Sequence, residues 1–126
     1  MTERESVAKR GFPATVAETL ESQRECFRVV INRGAIDGVA NGDRFVVYGE
    51  GPEIEDPETG EPLGALEIFR GTGEAMHVQE RMATIESDMF KEASESRNII
   101  VSLQSTVTKR MVPFGKVEVG DKVRPI

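Results

Sequence analysis

The residues best suited to chemistry are one histidine and one cysteine. His77 lies in EAMHVQE, where it alternates with Met76 and Val78, so a strand would place it on the opposite face from both. Cys26 lies inside the strand-like segment ECFRVVIN. A nucleophilic thiol needs an adjacent base or cation, and a catalytic histidine needs partners. Neither segment supplies them, so we expect no catalytic residue and a protein that is not an enzyme.

Carboxylates are concentrated in the segment GEGPEIEDPETGEPLG. Hard cations require several oxygens that converge on one point, but the spacing here does not match D-x-[DN]-x-[DN]-G. Three interpretations stay open: a solvated acidic hairpin tip, a weak calcium or magnesium site, and a docking surface for a basic partner. We expect no cofactor or metal, and we take these six residues as candidate partner-binding residues. They are Glu50, Glu53, Glu55, Asp56, Glu58 and Glu61.

Basic residues concentrate near the end of the sequence, so the acidic and basic groups can give the molecule two poles. An ordinary mixed surface is the alternative. The residues are Lys109, Arg110, Lys116, Lys122 and Arg124. Four of them, all but Lys116, are also candidate partner-binding residues.

Composition narrows the class of protein. The chain has 126 residues, one cysteine and a net charge of −6, which fits one domain without an internal disulfide. The negative charge argues against non-specific binding to nucleic acid or anionic membrane. The first residues contain no apolar core of a secretory signal, and no run approaches the roughly 18 apolar residues of a membrane span. We expect a cytoplasmic protein, or a periplasmic one if a leader has been removed.

The glycine-rich segment INRGAIDGVANGDRFVVYGEG is a corner between two strands. It does not match a phosphate-binding loop, because Asp43 stands where the lysine should follow. The pattern V-x-x-G-D-[RK]-apolar occurs at residues 39–45 and again at residues 117–123. In both copies we expect the valine in the core, the glycine at positive φ, the aspartate on the turn's backbone amides and the last residue pointing inward.

Alternating apolar residues predict seven or eight short strands. The sequence DPETG predicts a tight turn, with Gly60 at positive φ, inside a long acidic hairpin at residues 49–62. Asp88 is a candidate cap for a short helical turn that follows it. Residues 1–13 are expected to be a flexible lead-in, and residues 14–126 a single all-β domain. Closing the strands into a small barrel would protect their edges.

The segment INRGAIDGVANGDRFVVY resembles the C-terminal domain of flagellar assembly protein T and related small domains. The matching pattern is an apolar strand, [IV]-N-x-G, a spacer, G-V-x-x-G and a strand with F-x-V-Y. LGALEIFRGTGEAMHVQERMATIES and VEVGDKVRPI are similar to later parts of that domain. The resemblance covers residues 15–87 and 113–126, with an inserted segment near residues 88–112. The residues that carry the first pattern are Ile31, Asn32, Gly34, Gly38, Val39, Gly42, Phe45, Val47 and Tyr48.

This resemblance implies an SH3-like barrel of about seven short antiparallel strands, without catalytic residues, that acts in assembly or interaction. We therefore predict a non-enzymatic module that binds a protein partner or itself, through the acidic hairpin and the inserted segment. The alternative is a nucleic-acid-binding barrel that uses the C-terminal basic residues.

Overall fold

The computed structural model describes residues 11–93 and 108–126. Residues 1–10 of the expected lead-in and residues 94–107 of the expected insertion lie outside the described residues. Two 3₁₀ helices, Gln23–Glu25 and Ala35–Asp37, are the only helices in the described part. The strands are β1 (Ala14–Thr19), β2 (Arg28–Ile31), β3 (Arg44–Glu55), β4 (Pro62–Val78), β5 (Ala83–Ser87), β6 (Phe90–Ala93), β7 (Thr108–Met111) and β8 (Lys122–Pro125).

Six of these strands form a closed antiparallel barrel in the order β1-β2-β5-β4-β3-β8. The prediction of a small all-β barrel is therefore confirmed. Strands β6 and β7 form a separate two-stranded ribbon within the expected insertion. The strands are not all short, since β3 has 12 residues and β4 has 17. Both continue beyond the end of the barrel.

The core follows from the alternation of apolar residues along the barrel strands. Val29 and Ile31 of β2 and Phe45 and Val47 of β3 are buried, while their neighbours in sequence are more exposed. Phe12, at the described end of the lead-in, stacks on Phe45 with ring centroids 5.8 Å apart. The lead-in therefore contributes Phe12 to the packing of the core.

The two G-D corners have the same geometry, and the predictions for them are confirmed. Gly42 and Gly120 have φ values of +93° and +101°. The Asp43 carboxylate accepts a hydrogen bond from the Ala40 amide at 3.0 Å, and the Asp121 carboxylate accepts one from the Glu118 amide at 2.9 Å. The flanking valines are buried, and so is the apolar residue that follows each corner. These residues are Val39, Val117, Phe45 and Val123.

The corners belong to a wider internal symmetry that the sequence pattern did not predict. Strands β1-β2-β3 and β4-β5-β8 form two equivalent halves of the barrel. Gly42 donates its amide hydrogen to Ala75 of β4 at 2.8 Å, and Gly120 donates to Val16 of β1 at 2.9 Å. The register between β3 and β8 is also symmetric, because Phe45 pairs with Pro125 and Val47 pairs with Val123.

The same symmetry extends to an irregularity in the sheet. Strand β1 shifts register against β2 between Val16 and Glu18, and β4 shifts against β5 between Ala75 and His77. Each shift follows the residue that receives the corner glycine's hydrogen bond. The halves therefore share their turns, their bulges and their inward-facing positions.

The predicted helical turn after Asp88 is wrong, because β6 begins at Phe90 as a strand. The Asp88 carboxylate instead accepts hydrogen bonds from the Arg44 guanidinium at 2.7 Å and from the Thr72 hydroxyl at 2.6 Å. Its side chain therefore fixes the start of the ribbon to the barrel rather than capping a helix.

Candidate interaction arm

The extensions of β3 and β4 form a hairpin that we call the arm, residues Gly49–Phe69. Strand β8 pairs with β3 only as far as Tyr48, and β5 pairs with β4 only from Gly73 onward. Beyond these points β3 and β4 pair only with each other, as far as Glu55 and Pro62. Seven residues of extended strand, from Gly49 to Glu55, project roughly 20 Å from the barrel.

The tip of the arm is the turn that DPETG predicts. The amide of Gly60 donates to the Asp56 carbonyl at 2.7 Å, and Gly60 has a φ of +78°. The Asp56 carboxylate accepts a hydrogen bond from the Glu58 amide at 2.8 Å. The tip is therefore held by its own backbone and by the Asp56 side chain.

Apart from contacts at its base, the arm is exposed along its length. From Glu50 to Phe69 no residue is buried. Apolar side chains are among the most exposed: Leu63 is 65% exposed, Phe69 63% and Leu66 50%. A two-stranded hairpin on its own is marginally stable, since it has no core to offset the entropy of ordering its residues.

The two faces of the arm differ in chemistry. Residue pairs across the strands share a face, so Ile54 with Gly64 and Gly49 with Ile68 lie on one side, together with Leu66. This apolar face carries the aliphatic side chains Ile54, Leu66 and Ile68. The opposite face carries Glu50, Glu53, Ala65, Glu67 and Phe69, and Tyr48 lies on the same side next to the base of the arm. The apolar face continues the side of the sheet that points into the barrel.

An ion pair closes the base of the arm on the apolar side. Arg70, with 14% of its side chain exposed, donates from Nε to the Asp121 carboxylate at 3.0 Å. The guanidinium lies across Gly49, where an added Cβ would come within 2.6 Å of it. The second G-D corner is therefore both a turn and the anchor of the arm, and Gly49 is required for the close approach.

Arg124 closes the base on the opposite face. Its guanidinium lies 4.7 Å from the centre of the Tyr48 ring and donates to Glu67 at 2.8 Å. The hydrogen bond to Glu67, supported by Tyr48, raises the pKa of Arg124 above its ordinary value. One of the predicted partner-binding cations is therefore already engaged by the arm of its own chain.

Charge is distributed unequally between the arm and the rest of the chain. The arm contains seven of the 22 acidic residues and none of the 16 basic residues. The remainder therefore has 15 acidic and 16 basic residues, and the arm accounts for the negative net charge of the protein. Such a concentration favours association with a positively charged surface.

The structure brings together all six predicted acidic residues, because they all lie on the arm. The predicted basic residues belong to two different sheets, since Lys109 and Arg110 lie on β7 of the ribbon while Lys122 and Arg124 lie on β8 of the barrel. Nucleic-acid binding by one C-terminal basic cluster stays a prediction. Lys116, at φ +51°, lies in the loop before the second corner.

The remaining candidates for chemistry lie apart from the arm. His77 is exposed on β4. Cys26 is buried, and its thiol donates to the Arg28 carbonyl at 3.2 Å. Within residues 11–93 and 108–126, no group of three or more His, Cys, Asp or Glu side chains is arranged to hold a metal ion. In the same ranges no helix has the length and apolarity needed to cross a membrane.

Sequence reasoning identified the acidic residues of the arm but missed its apolar face. Leu66 and Ile68 alternate with Glu67 and Phe69 in the same way as buried positions of a barrel strand do, so the pattern does not reveal their exposure. The available signal was the glycines on that face: Gly49 lies across from Ile68 and Gly64 lies across from Ile54, so these aliphatic residues have no large cross-strand partner. No protein-family model matches the chain, and the search of curated proteins gave no match.

Proposed function

We propose that this protein is a non-enzymatic interaction or assembly module, in which the barrel is a rigid support and the arm is the docking element. The observation that carries the proposal is a hairpin of about 20 residues with one apolar face and no buried residue from Glu50 to Phe69. Exposed apolar patches of this kind are typical of protein interaction sites. A partner that covers the face would supply the core that the hairpin lacks.

The attachment of the arm supports the same function. Arg70 and Asp121 fix its base on one face, and Arg124 and Glu67 fix it on the other. An arm held on both faces keeps a defined direction relative to the barrel, which lowers the entropy lost on binding. The barrel then presents the arm, in the way that rigid scaffolds present binding loops.

The proposal is tested by removing the arm without disturbing the barrel. Replacing residues 50–67 with Asn-Gly would close the hairpin directly across the Gly49–Ile68 pair. We expect this variant to fold and to lose a partner that co-purifies with the wild type. If the partner is retained by the armless variant, the arm is not the docking element.

A second measurement locates the contact. A photoreactive residue at Leu66 should cross-link to a partner of defined mass. The control is the same residue at Ile36, which is also exposed, at 59%, but lies in the first corner. Equal cross-linking at Leu66 and Ile36 would argue for non-specific contact and against the proposed function.

A further inference from the structure

The proposed docking function leaves the nature of the partner open, and the arm's charge narrows it. Only Glu67 among the seven carboxylates forms an ion pair within the described residues. The arm contains no lysine or arginine. Pairing two arms would bring 14 carboxylates together, so a second copy of the chain is an unfavourable occupant. Nucleic acid and anionic membrane are repelled for the same reason.

The mode of binding follows from the difference between the edges and the face of the arm. Exposed strand edges normally recruit another strand, but prolines and bulges block this. Pro52 lies within a bulge of β3, and Pro62 stands at the distal end of β4. A further bulge lies between Ile54 and Glu55. The β3 edge and the distal end of the arm are therefore poor templates for strand addition, and the apolar face offers a partner an open surface.

The arrangement of large and small side chains on the apolar face indicates which kind of segment can bind there. The open space on this face lies at Gly64, where an added Cβ would meet nothing within 4 Å, whereas Ile68 covers Gly51 and Arg70 covers Gly49. Space of this kind accepts apolar side chains from a partner between the aliphatic residues. Since the arm is only two strands wide, with about 4.8 Å between strands, long basic side chains can extend past its edges to the carboxylates behind.

We infer that the arm binds a basic, extended segment of a partner protein, in which apolar side chains alternate with lysine or arginine. The apolar side chains contact Ile54, Leu66 and Ile68. The basic side chains pair with the carboxylates at the tip and on the opposite face, Glu53 and Glu58 among them. This inference rests on the proposed docking function and adds the chemistry of the partner.

The test uses the full chain and three labelled twelve-residue peptides, measured by fluorescence anisotropy at physiological salt. One peptide alternates lysine and valine, the second lysine and serine, and the third glutamate and valine. We expect the lysine–valine peptide to bind at least tenfold more tightly than either of the others. Equal binding of the lysine–serine peptide would reduce the effect to charge attraction and overturn the inference. Equal binding of the glutamate–valine peptide, or no binding of the lysine–valine peptide, would also overturn it.

Variants separate the two contributions. L66S and I68S should each lower the affinity for the lysine–valine peptide about tenfold, whereas I36S, outside the arm, should leave this affinity unchanged. E53Q combined with E58Q should weaken binding and flatten its dependence on salt, because fewer ion pairs form. If L66S and I36S bind the peptide equally well, the apolar face is not the binding surface.

The oligomeric state distinguishes failure of this inference from failure of the proposed function. Light scattering at low and at physiological salt should show a monomer. A dimer that is lost in L66S would identify a second copy as the occupant, which overturns the basic partner but leaves the arm as a docking element. If the photoreactive residue at Leu66 cross-links to no partner at all, the proposed docking function itself is contradicted.

Discussion

The two halves of the barrel, β1-β2-β3 and β4-β5-β8, share their turns and bulges but differ in what connects them. In the first half a short corner of residues 32–43 joins β2 to β3, while the equivalent connection in the second half contains the β6–β7 ribbon. The link between the halves is the arm. Features that recur by symmetry are explained by folding alone, so the unmatched ones, the arm and the ribbon, are where a specific function is expected.

Symmetry-related core positions should differ in their contribution to the free energy of unfolding, because their side chains differ in size. Phe45 and Val123 follow the two corners and are both buried. We expect F45A to lower the free energy of unfolding by about 3–5 kcal/mol, and V123A by about 2 kcal/mol, since the larger cavity loses more contacts. Urea denaturation measures both. The control is V46A on the outward face of β3. A larger effect for V123A than for F45A would contradict the expectation that the larger buried side chain contributes more to stability.

The fold was largely predictable because its signals are local. The repeated V-x-x-G-D pattern contains, within seven residues, the core contact, the positive φ and the aspartate cap of each corner. The arm was only partly predictable. Its acidic tip is a local property, but the exposure of Leu66 and Ile68 depends on where β5 and β8 end. The Arg70–Asp121 pair joins residues 51 positions apart, and no pattern in the sequence links them.

The anchoring of the arm distinguishes the second corner from a simple turn. R70M would leave the largely buried Asp121 carboxylate without its closest cation, which should cost about 2–4 kcal/mol. The double variant R70M/D121N should recover part of this loss, because an asparagine side chain can still accept the hydrogen bond from the Glu118 amide. Chemical denaturation of the three variants measures the coupling. Strictly additive effects would show that the ion pair does not act as a unit.

Alanine substitutions at the two corner glycines, Gly42 and Gly120, test whether the two halves of the barrel respond equally to the same backbone strain. Both have positive φ and open space around the missing Cβ. G42A and G120A should therefore each lower the free energy of unfolding by about 1–2 kcal/mol through backbone strain alone. The two decreases should be equal. G115A is the matched control, because Gly115 is not at positive φ and its added Cβ would lie 3.8 Å from the Arg70 carbonyl. It should be nearly neutral, and a strong inequality between G42A and G120A would break the symmetry.

The smallest expected effect is the pH dependence of the stability that Asp88 contributes. Asp88 follows β5 of the second half and accepts a hydrogen bond from Arg44 of β3 in the first half. Burial opposes ionisation of Asp88, but hydrogen bonds from Arg44 and Thr72 outweigh it and hold the pKa of Asp88 below its ordinary value of 3.8. A carboxylate whose pKa is lower in the folded state stabilises the protein above about pH 4, and this stabilisation is lost as the pH falls through the folded value.

The stability difference between wild type and D88N should therefore be present at pH 7 and shrink progressively below about pH 4. Urea denaturation at pH 7, 5, 4 and 3 would follow it. R44Q is the matched control, because it removes the cation and should flatten the same part of the pH profile. A difference that stays constant from pH 7 to pH 3 would mean that Asp88 contributes through packing rather than charge. The start of the ribbon would then be held to the barrel by contacts that do not titrate, such as the Asp88 amide, which donates to the Thr72 carbonyl of β4 at 3.2 Å.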